Sequence, residues 1–281
     1  MGERMQDPSS PTSAIDSVTG SASDTGAPLL EAHGINKSFG PVHVLHDVDF
    51  KVYAGQITAL IGDNGAGKST LVKCLAGIYG TDTGNVEFDG AEVTIHSPKD
   101  AAALGIKVVY QDLALCDNLD IVQNMFLGRE IVRRGTLDEH AMELAARQTL
   151  ASLSVRTVKS VRQLVASLSG GQRQTVAIAK AVLGNSRIVI LDEPTAALGV
   201  AQTEQVLQLV RRLASSGVGV VIISHNMNDV LEVADRVCAM YLGRIAADIP
   251  LDGTVTRETL VELITSGRSG VHGLVNGVVG A

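Results

Sequence analysis

The chain has 281 residues, 45% hydrophobic, 3% aromatic, without tryptophan and with a formal charge of −7. That length suits one large α/β domain or two modest ones, while the acidic balance and scarce aromatics argue against a protein held by nucleic-acid phosphates or by stacked bases. The three cysteines (Cys74, Cys116, Cys238) show neither CxxC nor Cys/His clustering, which disfavours a disulfide framework or structural zinc, and no apolar run reaches the roughly 18–20 residues of a bilayer span.

Residues 1–28 hold three of the seven prolines and six serines. They lack a basic segment followed by an apolar one, so the reading is a disordered tail rather than a secretory leader. Order begins near Leu29. Val48, Phe50 and Val52 alternate with polar residues as a half-buried strand does, and Gln56–Ile61 is an apolar strand entering a Gly-rich turn. Lys68–Ala76 reads as a helix stopped by Gly77, Asp82–Asp89 as a turn and strand, and Ile106–Tyr110 as another strand. From about Asp112 to Val165 the pattern is mostly helical, with Asp138 capping a helix through Leu153. Strand Ile188–Leu191, helix Ala201–Leu213 and strand Val218–Ser224 follow. Apolar strands separated by helices imply an α/β domain with a mainly parallel sheet covered on both faces, interrupted by a helical insert. Residues 267–281, with five glycines, read as a mobile tail, and no internal repeat is present.

Gly62-Asp63-Asn64-Gly65-Ala66-Gly67-Lys68-Ser69-Thr70 satisfies GxxxxGK[ST] and falls between a strand and a helix. Glycines let the backbone N–H groups converge on phosphate oxygens, and the helix N-terminus adds its positive dipole end. Lys68 is placed to reach β- and γ-phosphates, and Ser69 to ligate Mg²⁺. Asp192 and Glu193 end the strand Ile188–Leu191, where ligand sites of open α/β sheets lie. Asp192 would hold Mg²⁺ and Glu193 would polarise water; the alternative is a helix N-cap, with Pro194 in a first helical turn. His225, after the strand Val218–Ser224, reads either as a bond to the γ-phosphate or the attacking water, or as a structural residue.

Leu168-Ser169-Gly170-Gly171-Gln172-Arg173-Gln174 opens a helix through about Leu183. Together with the phosphate loop and the Asp-Glu strand, it makes residues 29–266 resemble the ATPase subunit of an ABC transporter. The resemblance implies a P-loop NTPase core with an N-terminal antiparallel β portion and a helical subdomain at about 112–165. It implies ATP and Mg²⁺ as ligands, and a dimer, of two copies or with a related ATPase subunit, in which Ser169, Gly170, Gly171 and Gln172 cradle the opposing subunit's nucleotide. By the same resemblance Phe39 stacks on adenine (it could instead be a core aromatic), Gln111 senses Mg²⁺ and water, and His225 is the switch histidine. One position departs: Gly199 follows Ala196-Ala197-Leu198 where the family usually has aspartate.

Tyr110–Leu119, Glu193–Val200 and Val255–Leu260 look like the ribose/xylose/fructose branch of sugar importers, in a single-domain form. That branch implies membrane permease subunits, an extracytoplasmic sugar-binding protein, a peripheral place on the cytoplasmic face and no nucleic-acid partner. A soluble ABC ATPase acting on ribosomes or nucleic acid, an importer for another solute, and a P-loop kinase are the rival readings. Leu115, Leu119, Ile121, Met125 and Phe126 read either as an exposed groove for a permease helix or as the insert's own core.

Overall fold

The structure, a computed structural model, describes residues 26–155 and 157–267. The tails expected at 1–28 and 267–281 therefore lie outside the described residues except at 26–28 and 267. In chain order the elements are β1 (Leu30–Phe39), β2 (Val42–Val52), β3 (Ile57–Gly62), α1 (Lys68–Leu75), β4 (Thr83–Phe88), β5 (Ala91–Val93), α2 (Pro98–Ala103) and β6 (Ile106–Val109). The middle contributes α3 (Ile121–Phe126), β7 (Val132–Arg133), β8 (Thr136–Leu137), α4 (Glu139–Ser152) and a 3₁₀ turn at Val165–Ser167. The remainder is α5 (Gly170–Val182), β9 (Ile188–Asp192), α6 (Val200–Ser215), β10 (Gly219–Ile223), α7 (Met227–Val233), β11 (Arg236–Tyr241), β12 (Arg244–Pro250) and α8 (Arg257–Ser266).

A six-stranded sheet of order β12-β11-β3-β10-β9-β6 forms the centre. Its strands are parallel except for β12, which returns antiparallel along β11. β3 and β10 are buried along their whole length, as strands covered on both faces must be. Alternate residues divide between two cores. Ile57, Val189, Val220 and Ile222 join Val176, Leu209, Val230 and Leu260 of the helical layer. Leu60, Ile190, Val221 and Ile223 instead meet Leu71 and Leu75 of α1 and Leu30, Ile35 and Phe50. One cover is thus largely a second, antiparallel sheet of order β2-β1-β4-β5. Cys74 and Cys238 are buried in this second core and Cys116 is half-buried near α3; burial pushes the Cys74 thiol up to about 11.

The segment 112–165 is less helical than its pattern suggests. Between α3 and α4 lies the β7–β8 hairpin, turned by Arg134 and Gly135 at φ 53° and 84°. Two successive positive φ values suit the right-handed twist of a two-residue hairpin, but Arg-Gly is a weak sequence signal for it. Asp138 does cap α4, accepting from the Ala141 N–H at 3.0 Å. Arg162 ties the segment together, with Nε 2.8 Å from Glu143 and its terminal nitrogens 3.2 and 3.3 Å from Glu139 and Asp120. Of the five residues read as groove or core, three belong to the core, and Leu115 and Leu119 are half-buried. Ile121, Met125 and Phe126 are buried core residues, in one cluster with Met142 and Ala146 of α4 and Val176 and Ile178 of α5. Leu113 and Leu115 lie partly buried against the same core.

Candidate functional site

Parallel register decides where the chemistry gathers. Ile223 pairs with both Leu60 and Asp192, and Val109 with Leu191. Four strand ends therefore open on one edge, carrying the loop after Gly62, the Asp192-Glu193 pair, His225 and Gln111.

The loop after β3 is shaped by backbone demands. Gly62, Gly65 and Gly67 have φ of 155°, 82° and 106°. A Cβ on Gly62 would lie 2.5 Å from the Met240 carbonyl, and one on Gly67 2.9 Å from Leu45 Cδ2. Asp63, Asn64 and Gly65 are exposed at the tip, and Ala66 and Gly67 are buried. Gly67 caps α1 without a side chain, and the first turn of α1 holds no acidic residue, leaving the positive helix end open to an anion. Lys68 is 7% exposed and donates to the Gly62 and Asp63 carbonyls at 2.8 and 2.9 Å. Burial lowers its pKa against the upward pull of Glu193, Asp63 and Asp192. Ser69 is exposed and Thr70 half-buried at the head of the same helix.

Asp192 and Glu193 face this cation. Burial raises the pKa of Asp192, opposed by Lys68, Lys73 and His225. Burial also raises Glu193, with His225 the main opposing influence. His225 Nε2 lies 3.0 Å from Glu193 Oε1, yet that buried oxygen has no aligned hydrogen-bond donor. Glu193 itself sits at φ 51°, held by its N–H donating to the Ile223 carbonyl at 3.0 Å. The helix-cap alternative fails, since the next helix begins only at Val200 with Gly199 as its N-cap.

Ser169 caps α5 through a reciprocal pair: its N–H donates to Gln172 Oε1 at 2.9 Å, and its hydroxyl accepts from the Gln172 N–H at 3.4 Å. A Cβ on Gly170 would press on Leu198 Cδ2, and one on Gly171 on Gln202 Cβ, each at 3.1 Å. Among the described residues no hydrogen bond or ion pair joins Ser169–Gln172 to Lys68, Glu193 or His225. Phe39 is 42% exposed, edge-on to Tyr79 with centroids 5.1 Å apart, so it is a surface ring rather than a core aromatic. Gln111 is exposed two residues past the end of β6. Sequence reasoning missed Asp229, a buried carboxylate that accepts from Thr195 Oγ1 and Asn226 Nδ2, each at 2.7 Å; the only signal was an acid four residues beyond His225.

A mainly parallel sheet whose first buried strand feeds a glycine loop, a buried lysine and a helix N-terminus defines a P-loop nucleotide-binding protein. The model of the family described as "ABC transporter" matches residues 45–196. The chain is 46% identical over 224 residues to a fructose import ATP-binding protein of Rhizobium meliloti, covering 77% of this chain and 86% of that one. It is 42% identical over 238 residues to a xylose/arabinose import ATP-binding protein of Sulfolobus acidocaldarius, covering 85% and 94%. Among solved structures, an ATP-binding cassette of an ABC transporter in its ADP conformation matches with a TM-score of 0.71 at 25% identity, over 85% of this chain and 96% of that one. The chain belongs to the ABC transporter family, as a nucleotide-binding ATPase.

Proposed function

We propose that this ATPase drives an importer for a simple sugar. The observation that carries hydrolysis is the Glu193–His225 pair, 3.0 Å apart, on the strand edge that also presents Lys68. The two sugar-import relatives support the cargo class. In this reading Lys68 and the N–H groups of Gly62–Thr70 bind the phosphates, and Phe39 stacks on the adenine. Mg²⁺ fits the hard oxygen donors Ser69, Asp192 and Gln111, and when bound it would neutralise charge on the phosphate oxygens. Glu193 takes the proton of the attacking water through its carboxylate, and His225, beside Oε1, positions that water and the γ-phosphate.

Ser169, Gly170, Gly171 and Gln172 form a second anion cradle on α5, away from the chain's own lysine. They serve the nucleotide of a second ATPase subunit, identical or related, so that hydrolysis requires a closed dimer. Residues 29–266 act as the ATPase domain, with 112–165 as its permease-facing subdomain. No helix among the described residues is long and apolar enough to cross a membrane, and the protein works peripherally at the cytoplasmic face with permease subunits and an extracytoplasmic sugar-binding protein. The permease meets a 260 Å³ cleft lined by Leu113, Ala114, Leu127, Arg129 and Lys180.

Two measurements test this. Glu193→Gln should bind ATP as the unmodified chain does and hydrolyse it at least about 100-fold more slowly, the usual worth of a positioned general base; full turnover would overturn the hydrolytic assignment. The purified transporter complex should show ATPase stimulation by its binding protein loaded with ribose, xylose or fructose. Stimulation by none of them would remove the sugar assignment and leave the ATPase intact.

A further inference from the structure

The catalytic candidates stand on two separate loops, one after β9 and one after β10, and a single buried carboxylate joins those loops. Asp229, 5% exposed in the first turn of α7, accepts from Thr195 Oγ1 on Oδ2 and from Asn226 Nδ2 on Oδ1, both at 2.7 Å. Thr195 lies two residues beyond Glu193, and Asn226 directly follows His225. Each carboxylate oxygen is thus committed to a different loop.

Both loops need such a tie. Glu193 and Ala197 hold φ of 51° and 60°, values an L-residue keeps only where its surroundings over-determine them. Apart from Asp229, the loop after β9 is held by the Glu193 N–H donating to Ile223 and by its internal Ala196-to-Glu193 and Leu198-to-Thr195 turns. The loop after β10 has the Asn226 N–H donating to Ser224 Oγ at 3.0 Å and the Asn228 N–H donating to Asn226 Oδ1 at 3.1 Å. Neither set bridges Thr195 to Asn226.

We propose that Asp229 is a positioning residue for hydrolysis, the strut that sets the distance between Glu193 and His225. It touches no substrate and acts through Thr195 and Asn226. The proposal rests on the reading of Glu193 as the base that activates water. Acceptance of two donors by one rigid carboxylate fixes the separation of the loops, which a single acceptor cannot do. An amide at 229 offers one oxygen and turns an NH₂ group toward a donor.

The test is ATP turnover by the full chain with six variants compared under one condition. Asp229→Asn and Thr195→Val should each lower kcat roughly tenfold, the worth of one buried, charge-assisted hydrogen bond, with KM for ATP unchanged because the phosphate loop is untouched. Thr195→Ser, which keeps the hydroxyl, should retain most of the activity. Combining Asp229→Asn with His225→Ala should cost little beyond His225→Ala alone, since the strut acts through that contact. A role confined to capping α7 would leave Thr195→Val at full activity, and would overturn the proposal. Inactive Glu193→Gln beside fully active Asp229→Asn would refute the strut alone. Active Glu193→Gln would refute the underlying assignment instead.

Discussion

Replacing Gly67 by alanine probes the phosphate loop where conformation and space both constrain it. Gly67 holds φ 106° at the N-cap of α1, a backbone region that costs an L-residue about 1–3 kcal/mol. An added Cβ would lie 2.9 Å from Leu45 Cδ2, 3.2 Å from Met240 Cε and 3.3 Å from the Val44 carbonyl. The two side-chain ends can rotate away, but the carbonyl belongs to β2 and moves only with its strand. Overpacking of this kind adds about 1–3 kcal/mol. The combined loss, about 2–6 kcal/mol, should lower Tm by roughly 2–4 °C per kcal/mol in a domain of this size. Gly65→Ala is the matched comparison, since Gly65 has φ 82° with nothing within 4 Å of its Cβ position, leaving backbone strain of about 1–2 kcal/mol. Scanning calorimetry without nucleotide should therefore rank the unmodified chain above Gly65→Ala, and Gly65→Ala above Gly67→Ala. Excess ATP at 100 times Kd should raise the stability of the unmodified chain by about 2.7 kcal/mol, and Gly67→Ala should lose most of that increment. Equal melting of the two variants would refute the steric argument. A Gly67→Ala protein as stable as its parent would refute the strain argument as well.

His225→Ala should move the acid limb of residual kcat to higher pH, because burial already holds Glu193 above the ordinary carboxylate range and the imidazole is the largest influence pulling it down, ahead of the His225 backbone N–H and Lys68. The same raised pKa stabilises the fold most below the ordinary glutamate value and less as pH rises through the folded value; Glu193→Gln should flatten that part of a urea-denaturation pH profile. Met125→Ala, at a side chain with no solvent exposure, should cost about 2–5 kcal/mol in urea denaturation. Leu127→Ser, at an exposed side chain lining the cleft proposed for the permease, should weaken sugar uptake in cells while sparing basal ATPase activity. Gly199→Asp should stabilise the chain by about a few tenths of a kcal/mol in calorimetry, since Gly199 has φ −74°, no side-chain cap on α6 and open space for a Cβ.

Strands buried on both faces left continuous apolar runs, so β3, β9 and β10 were readable within a residue or two, and Asp138 marked the start of α4 by its cap chemistry. The glycine loop and the Asp-Glu pair were legible because phosphate binding and carboxylate placement demand those residue types at those spacings. What sequence reasoning missed depends on tertiary partners. β11 and β12 form a hairpin whose positive-φ turn residues, Leu242 and Gly243, include one that is no turn signal. The burial of Ile121, Met125 and Phe126 is set by packing against residues of α4 and α5, on a helix of six residues that is too short to show a periodicity of its own. Asp229 joins residues 34 positions apart at Thr195, a relation no local pattern contains.

The three cysteines have a practical consequence for following motion in this protein. Cys74 and Cys238 are enclosed, with thiols that burial pushes up, so a maleimide reaches neither while the fold is intact. Cys116 is half-buried five residues beyond Gln111, its backbone N–H and carbonyl both bound by the Asn124 side chain at 2.7 and 2.9 Å. A dye attached there would ride rigidly on the segment that leads from the central sheet into the insert. The native sequence thus provides one addressable thiol at that junction, and fluorescence anisotropy there would report whether the junction moves during turnover, without a cysteine-free background.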